Sequence, residues 1–390
     1  MQMIKSIFNQ FIIKITPLLP LWLVWKIAGR YVAGESIADA LVVIRQLNEK
    51  GYSATVDILG EHTKSESEAD EITHDYLKIY DKISQQGLDC NISIKPSHIG
   101  LDISNEILQS NLDKLLSKAE ETHNFLRIDM ESSVITDVTI SLFKSCYEKY
   151  QKVGTVFQAY LYRTQTDLED LSQNGSFNFR LCKGIYKEPP AIAIQRRRKI
   201  NSNFIKLLRF AFEKGIYVGI ATHDLELLES AYALISEFNV SADKFEFQVL
   251  YGVPMSGWLE KHLKNNFKVR VYVPFGKDWY AYSIRRLKEN PNIAGIVGQG
   301  LAATPNPDLG WIGSLTEIEL EKAYWIKMSD ADNITIIANE PPGHTDLTYT
   351  LYAGANLISF PFVGSYDMNY VLPPELIWVT EGIIGEGLAA

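Results

Sequence analysis

The chain has 390 residues, 46% of them apolar, and a formal charge of −9. That length accommodates one barrel of roughly 250 residues plus an accessory domain, while the acidic balance argues against a broad nucleic-acid interface, which needs clustered cations. The three cysteines, Cys90, Cys146 and Cys182, are far apart and form no CxxC pair, so they offer neither a zinc site nor a disulfide framework; a reducing, cytoplasmic setting is expected.

Residues 1–50 are expected to form an N-terminal helical segment. The start is rich in apolar residues, but Lys14, Pro17, Pro20 and Lys26 interrupt any span of the ~20 residues needed to cross a bilayer. It also lacks a small-residue cleavage site after a compact apolar core. Two readings remain, a helix packed on the following domain and an amphipathic segment resting on a membrane surface.

From Tyr52 onward, short strand-like runs alternate with segments of helical period. The runs are ATVDIL (54–59), CNISIK (90–95), FLRIDM (125–130), GTVFQAYL (154–161), NFRLCK (178–183), IYVGIAT (216–222), FEFQVL (245–250) and VRVYVP (269–274). The segments between them place apolar residues at i, i+3, i+4 with charges in the gaps, as amphipathic helices do. Eight strand–helix units predict an α/β fold, a (βα)8 barrel over residues 51–292 with N-terminal helices. After Asn290-Pro291 the alternation stops. Residues 293–390 are expected to form a small β-rich module, with an imperfect repeat of GIVGQGLAA (295–303) in GIIGEGLAA (382–390). Those repeated ends could pair edge to edge between chains, a route to self-association.

Reacting groups of such barrels sit where the strands end. Lys95, Asp129, Arg180, Lys183, Thr222, His223, Gln248 and Tyr272 lie at or just past the ends of the apolar runs, and Gln158 lies within the fourth. In the last helical segment Tyr282, Arg285, Arg286 and Glu289 are spaced i, i+3, i+4, i+7 and share one face. Two adjacent guanidiniums offer forked donors to a carboxylate, with Glu289 able to fix one of them. A solvated surface pair has the same spacing, and spacing alone favours it. Arg180, Lys183 and the Gly184 turn suit a pyrophosphate or an electron-rich ring, although no GxGxxG or GKT pattern is present. The run Arg196–Lys199 reads as a solvated basic helix face. Scattered histidines without HxxxH or HExxH spacing give no metal centre.

The segments IKPSHIGLD (94–102), RIDMES (127–132), VFQAYLYRT (156–164), RLCKGIY (180–186), ATHD (221–224), FQVLYGVP (247–254), RVYVPFG (270–276) and YSIRRLKEN (282–290) together resemble the proline dehydrogenase family. The resemblance covers the first 292 residues and implies a distorted (βα)8 barrel with bound FAD that oxidises L-proline to 1-pyrroline-5-carboxylate. By it, Asp129 and Arg180 take catalytic positions, and Lys95, Tyr272, Tyr282, Arg285, Arg286 and Glu289 contact or line the substrate pocket. Met130, Gln158, Lys183, Gly184, Ile185, Thr222 and His223 match cofactor contacts. It further implies a quinone-type electron acceptor, with peripheral contact at the inner membrane. A tyrosine at the place of Tyr282 goes with proline over hydroxyproline. Two departures fall at the cofactor site: Ile185-Tyr186-Lys187 replaces a small residue followed by an aromatic pair, and Asp224 replaces the usual Asn. The tail weakly resembles β-rich repeat modules of bacterial surface proteins. Two other functions stay open, oxidation of a related cyclic amino acid and a catalytically silent barrel that binds or anchors.

Overall fold

The computed structural model describes residues 29–289 except Asn174, Pro254 and Ser256, together with nine strands of the tail; side chains are described as far as Arg286. The apolar N-terminal segment 1–28 lies outside the described residues. The chain divides into two compact units, Gly29–Ser283 and a second containing Ile284–Ala390.

Eight strands form the first unit's centre: β1 (Ser53–Ile58), β2 (Cys90–Ile94), β3 (Leu126–Ile128), β4 (Val153–Gln158), β5 (Asn178–Cys182), β6 (Tyr217–Ala221), β7 (Phe245–Leu250) and β8 (Val269–Phe275). They pair in chain order, all parallel, and β8 closes on β1 in the register Ser53↔Arg270 to Ile58↔Phe275. Helix α1 (Ile37–Glu49) precedes the barrel. After each strand in turn comes one helix: α2 (Glu66–Gln86), α3 (Asn105–Glu121), α4 (Thr136–Lys149), α5 (Thr164–Ser172), α6 (Arg197–Glu213), α7 (Leu225–Glu237), α8 (Trp258–Lys264) and α9 (Trp279–Glu289). This is the expected (βα)8 barrel.

Local chemistry starts and stops these helices. At α1, Ser36 and Asp39 form a reciprocal capping box that satisfies two otherwise orphaned donors. At α2, Ser65 Oγ accepts from the Glu68 N–H at 3.2 Å, and Gly87 ends the helix at φ 60°, a conformation that costs a residue with a Cβ. Among its buried residues, Ala69, Thr73, Tyr76, Tyr80 and Ile83 recur every three or four positions, with Ile79 widening the stripe.

The strands alternate in chemistry with period two. One set, including Val56, Ile92, Ile94, Leu126, Ile128, Phe179, Leu181, Ile220, Phe247 and Val271, joins Tyr80, Leu112, Leu115, Phe204, Leu208, Leu228 and Ala231 of the helices in the main hydrophobic core. Burying one such side chain contributes about 1.5–3 kcal/mol. The other set is polar: Thr55 and Asp57, Asn91 and Ser93, Arg127, Arg180, Glu246 and Gln248, and Arg270, all at most 9% exposed. Several of its hydrogen bonds join strands that are not neighbours, such as Arg180 on β5 to Gln248 on β7, so they cross the barrel lumen. A charged lumen is tolerable only when its groups are paired. Arg127 is among the largest fully buried side chains; it donates to the Thr155 carbonyl at 2.8 Å and to Asn178 Oδ1 at 2.6 Å, and its guanidinium stacks 4.8 Å from the Phe125 ring centroid.

In the second unit, β9 (Ala302–Asn306), β10 (Gly310–Gly313), β12 (Ala323–Met328), β15 (Gly354–Ser359) and β17 (Thr380–Gly385) form one sheet in the order β10-β9-β17-β12-β15. Two antiparallel pairs accompany it, β11 (Glu317–Glu319) with β16 (Ser365–Asp367) and β13 (Asp332–Ile336) with β14 (Leu347–Leu351). The second repeat copy supplies β17, which pairs on one side with the end of the first copy, Ile384↔Ala302 and Ile383↔Ala303, and on the other with β12. Both edges of that strand are therefore occupied within the chain. No helix among the described residues is long and apolar enough to cross a membrane.

Candidate active site

At the carboxyl ends of the strands one buried cluster gathers groups from five of them. Asp129 stands just past β3, its backbone N–H fixed to the Ile94 carbonyl at 2.8 Å. Asp129 Oδ1 accepts from Ser93 Oγ at 2.7 Å and from Arg180 Nη1 at 2.6 Å, and Oδ2 accepts from the Tyr272 hydroxyl at 3.2 Å. Arg180 also lies 5.2 Å from the Tyr272 ring centroid. Beside them Lys95 Nζ donates to Asp57 Oδ2 at 2.6 Å, and the Tyr76 hydroxyl donates to Asp57 Oδ1 at 3.1 Å.

The set balances two carboxylates with two cations. Burial alone would lower the Lys95 ammonium, but the Asp57 and Asp129 carboxylates outweigh it and hold Lys95 above its usual range, so it stays charged. Burial raises the Asp57 carboxyl, opposed by Lys95. Burial, with both carboxylates nearby, raises the Tyr272 hydroxyl well above 10, which keeps it a donor. Lys95, Asp129, Arg180 and Tyr272 are thus brought together. Asp57, 1% exposed and central to the cluster, is a residue that reasoning from strand ends alone misses, because it lies inside β1.

Arg180 is held at two points, Nη1 by Asp129 and Nε by Gln248 Oε1 at 2.5 Å. Its Nη2 is buried with no hydrogen-bond partner. On neighbouring β4, Gln158 Nε2 donates to the Glu131 carbonyl at 2.7 Å beside buried Met130, while Gln158 Oε1 is buried with no partner. One unmatched donor and one unmatched acceptor on adjacent strands suit a planar ligand that presents both kinds of group.

The remaining expected cofactor residues lie along β5 and β6. Gly184 has φ 103°, and a Cβ there would come within 2.2 Å of the Tyr160 ring, so this turn requires glycine. Ile185 beside it is 51% exposed. Lys183 Nζ donates to Asp224 Oδ2 at 2.5 Å, and the same oxygen accepts from Arg197 Nη2 and Asn201 Nδ2, each at 3.0 Å. Burial would raise the Asp224 carboxyl, but these three partners hold it well below the usual carboxylate range. Its charge is therefore compensated locally, and Lys183 is engaged by it. Thr222 Oγ1 accepts from the Asp224 N–H at 3.1 Å, and the Leu250 N–H donates to His223 Nε2 at 2.9 Å.

The helix α9 follows β8 and carries Tyr282, half-buried, then Arg285, half-buried, and Arg286, 5% exposed. The Glu289 side chain lies outside the described residues. Cys90 and Cys146 are buried thiols pushed up to about 12, and burial raises Cys182 to about 11, so none is a nucleophile at neutral pH. Among the described residues no group of acidic, His and Cys side chains could hold a metal ion.

Residues 40–299 match the family described as proline dehydrogenase. The chain belongs to the proline dehydrogenase family. It is 38% identical over 274 residues to proline dehydrogenase 2 of Bacillus subtilis, covering 70% of this chain and 90% of that one. Proline dehydrogenase of Deinococcus radiodurans is 35% identical over 286 residues, covering 71% and 90%. Among solved structures, proline utilization A of Bdellovibrio bacteriovorus shares the fold with a TM-score of 0.63 at 24% identity; the match covers 68% of this chain and 32% of that longer one. Proline dehydrogenases are flavin enzymes, and membership makes this chain a flavin-dependent oxidoreductase. The β-rich tail lies beyond the matched residues.

Proposed function

We propose that this chain oxidises L-proline to 1-pyrroline-5-carboxylate and passes the electrons to a quinone-type acceptor. The observation that carries the reading is the buried pair of unmatched atoms, Arg180 Nη2 and Gln158 Oε1, beside a charge-balanced cluster at the mouth of a barrel of this family. They fit FAD, whose ring system offers both donors and acceptors. Met130, Lys183, Gly184, Ile185, Thr222 and His223 would complete its cradle. When bound, FAD supplies the hydride acceptor.

The protein's own residues orient and balance charge. Arg285 and Arg286 form a forked clamp for the proline carboxylate. Lys95, pinned by Asp57, adds a third cation, and Tyr272 and Tyr282 line the pocket, with Tyr282 favouring proline over hydroxyproline. Asp129 holds Arg180, whose charge stabilises negative charge developing at the reacting centre. We assign catalysis to the barrel as far as residue 292 and an accessory role to 293–390, including self-association. We further propose a cytoplasmic setting with peripheral membrane contact for meeting a lipid-soluble acceptor.

The purified protein should be yellow and should bleach anaerobically on adding proline, and Arg285→Ala or Arg286→Ala should raise KM for proline steeply. A flavin-loaded protein that bleaches with hydroxyproline or pipecolate but not proline would reject the substrate. A folded chain that cannot take up FAD would reject the enzyme.

A further inference from the structure

Below the mouth, four side chains form a hydrogen-bonded column through the lumen. Arg270 on β8 donates through Nε to Glu246 Oε1 at 2.8 Å and through Nη1 to the Ala54 carbonyl and Asn91 Oδ1. Glu246 Oε1 also accepts from Gln248 Nε2 at 2.6 Å, and Gln248 Oε1 accepts from Arg180 Nε at 2.5 Å. Each of the four is at most 9% exposed. An amide can normally be turned over, but this one is fixed from both ends. Arg180 has only donors, and Arg270 outweighs burial to hold the Glu246 carboxyl down to about 2, leaving it acceptor-only. Gln248 must therefore present its oxygen upward and its NH2 downward. The space it lies in is made by Gly219 on β6, where a Cβ would come within 2.4 Å of Gln248 Nε2.

We propose that Gln248, keyed by Glu246, is a positioning residue for the Arg180 guanidinium. With Nε and Nη1 both tied, rotation of the guanidinium is blocked and Nη2 stays directed at the ligand. This rests on the reading of Arg180 as the cation facing the flavin.

The experiment compares Gln248→Met, Gly219→Ala and Arg180→Met as FAD-loaded full chains, reading kcat and KM for proline, the flavin midpoint potential, and the unfolding midpoint with and without FAD. Gln248→Met should lower kcat roughly ten- to a hundredfold through misplacement of Arg180, with KM changed less than about threefold. It should also shift the flavin potential negative, in the same direction as Arg180→Met. Gly219→Ala, which displaces the amide without removing it, should shift both in the same direction, and carries the test if Gln248→Met does not fold. A lowered unfolding midpoint with unchanged kcat and potential would mean that Gln248 is structural only, and would overturn the proposal. If Arg180→Met itself leaves potential and turnover unchanged, the reading of Arg180 has failed, and the keying role falls with it.

Discussion

Replacing Asp57 with Asn removes one charge from a side chain that is 1% exposed while keeping its shape. The perturbation strands Lys95, whose Nζ sits 2.6 Å from the lost carboxylate and whose side chain is 13% exposed. Breaking a buried ion pair from one side costs about 3–5 kcal/mol, because the surviving charge is left uncompensated. Asp129 also holds Lys95 in its charged state, and part of the ammonium reaches the mouth, so the lower end applies, about 3 kcal/mol. For a unit of this size each kcal/mol lowers Tm by about 2–4 °C, which gives a fall of about 6–12 °C. Isothermal chemical denaturation of Asp57→Asn, Lys95→Met and the double variant closes a cycle. The double variant should recover stability relative to the sum of the two singles, with a coupling of at least about 1.5 kcal/mol. A loss below about 1 kcal/mol in Asp57→Asn, or additive singles, would show that the pair does not behave as a buried one, and the account of Lys95 as a pinned cation would fall.

Stability should also fall in mild acid. Burial and neighbouring Lys95 depress His98 to about 3, and burial and neighbouring Lys261 depress His262 to about 4. In the unfolded chain both take a proton near 6.5, whereas the folded chain resists it, so their contribution is complete above about 6.5 and is lost as pH falls towards 4. Denaturation between pH 7 and pH 4 should show this slope, and His98→Asn should flatten it; an unchanged slope would contradict the assignment to His98. Gly154→Ala would place a Cβ 2.5 Å from Arg127 Nη1 and 2.6 Å from the Asn178 carbonyl oxygen, and since the second is backbone, a loss of about 1–3 kcal/mol is expected in the same assay. Asp224→Asn should release Lys183 and Arg197 for an anionic ligand; FAD titration of the apoprotein should show roughly fivefold to tenfold tighter binding that shrinks at high salt, and weaker binding would show that the carboxylate organises the site instead.

The eight strands and their helices were legible because both periodicities are undiluted: short β-branched and aromatic runs separated by amphipathic segments leave a barrel as the economical arrangement. Lys95 and Asp129 were legible for the same reason, since they end or closely follow apolar runs, whereas Arg180 and Tyr272 stand inside theirs. The interior polar column was harder to see. In ATVDIL, FEFQVL and VRVYVP the polar residues Asp57, Glu246, Gln248 and Arg270 stand at alternate positions, the pattern that ordinarily marks a half-solvated antiparallel strand. In this barrel the polar face turns inward and the helices cover the apolar face, so the same period-two signal means a lumen of paired charges. Spacing along the chain cannot choose those pairs, because Arg180 meets Asp129 across 51 residues and Gln248 across 68. Closure does choose them: once β8 meets β1, inward groups from non-neighbouring strands face one another within hydrogen-bonding reach. The same geometry explains how the buried Asp224 charge is compensated within the protein. Strand order sets β6 beside β5 and brings Lys183 and Arg197 to it, a compensation that the tetrapeptide ATHD does not display.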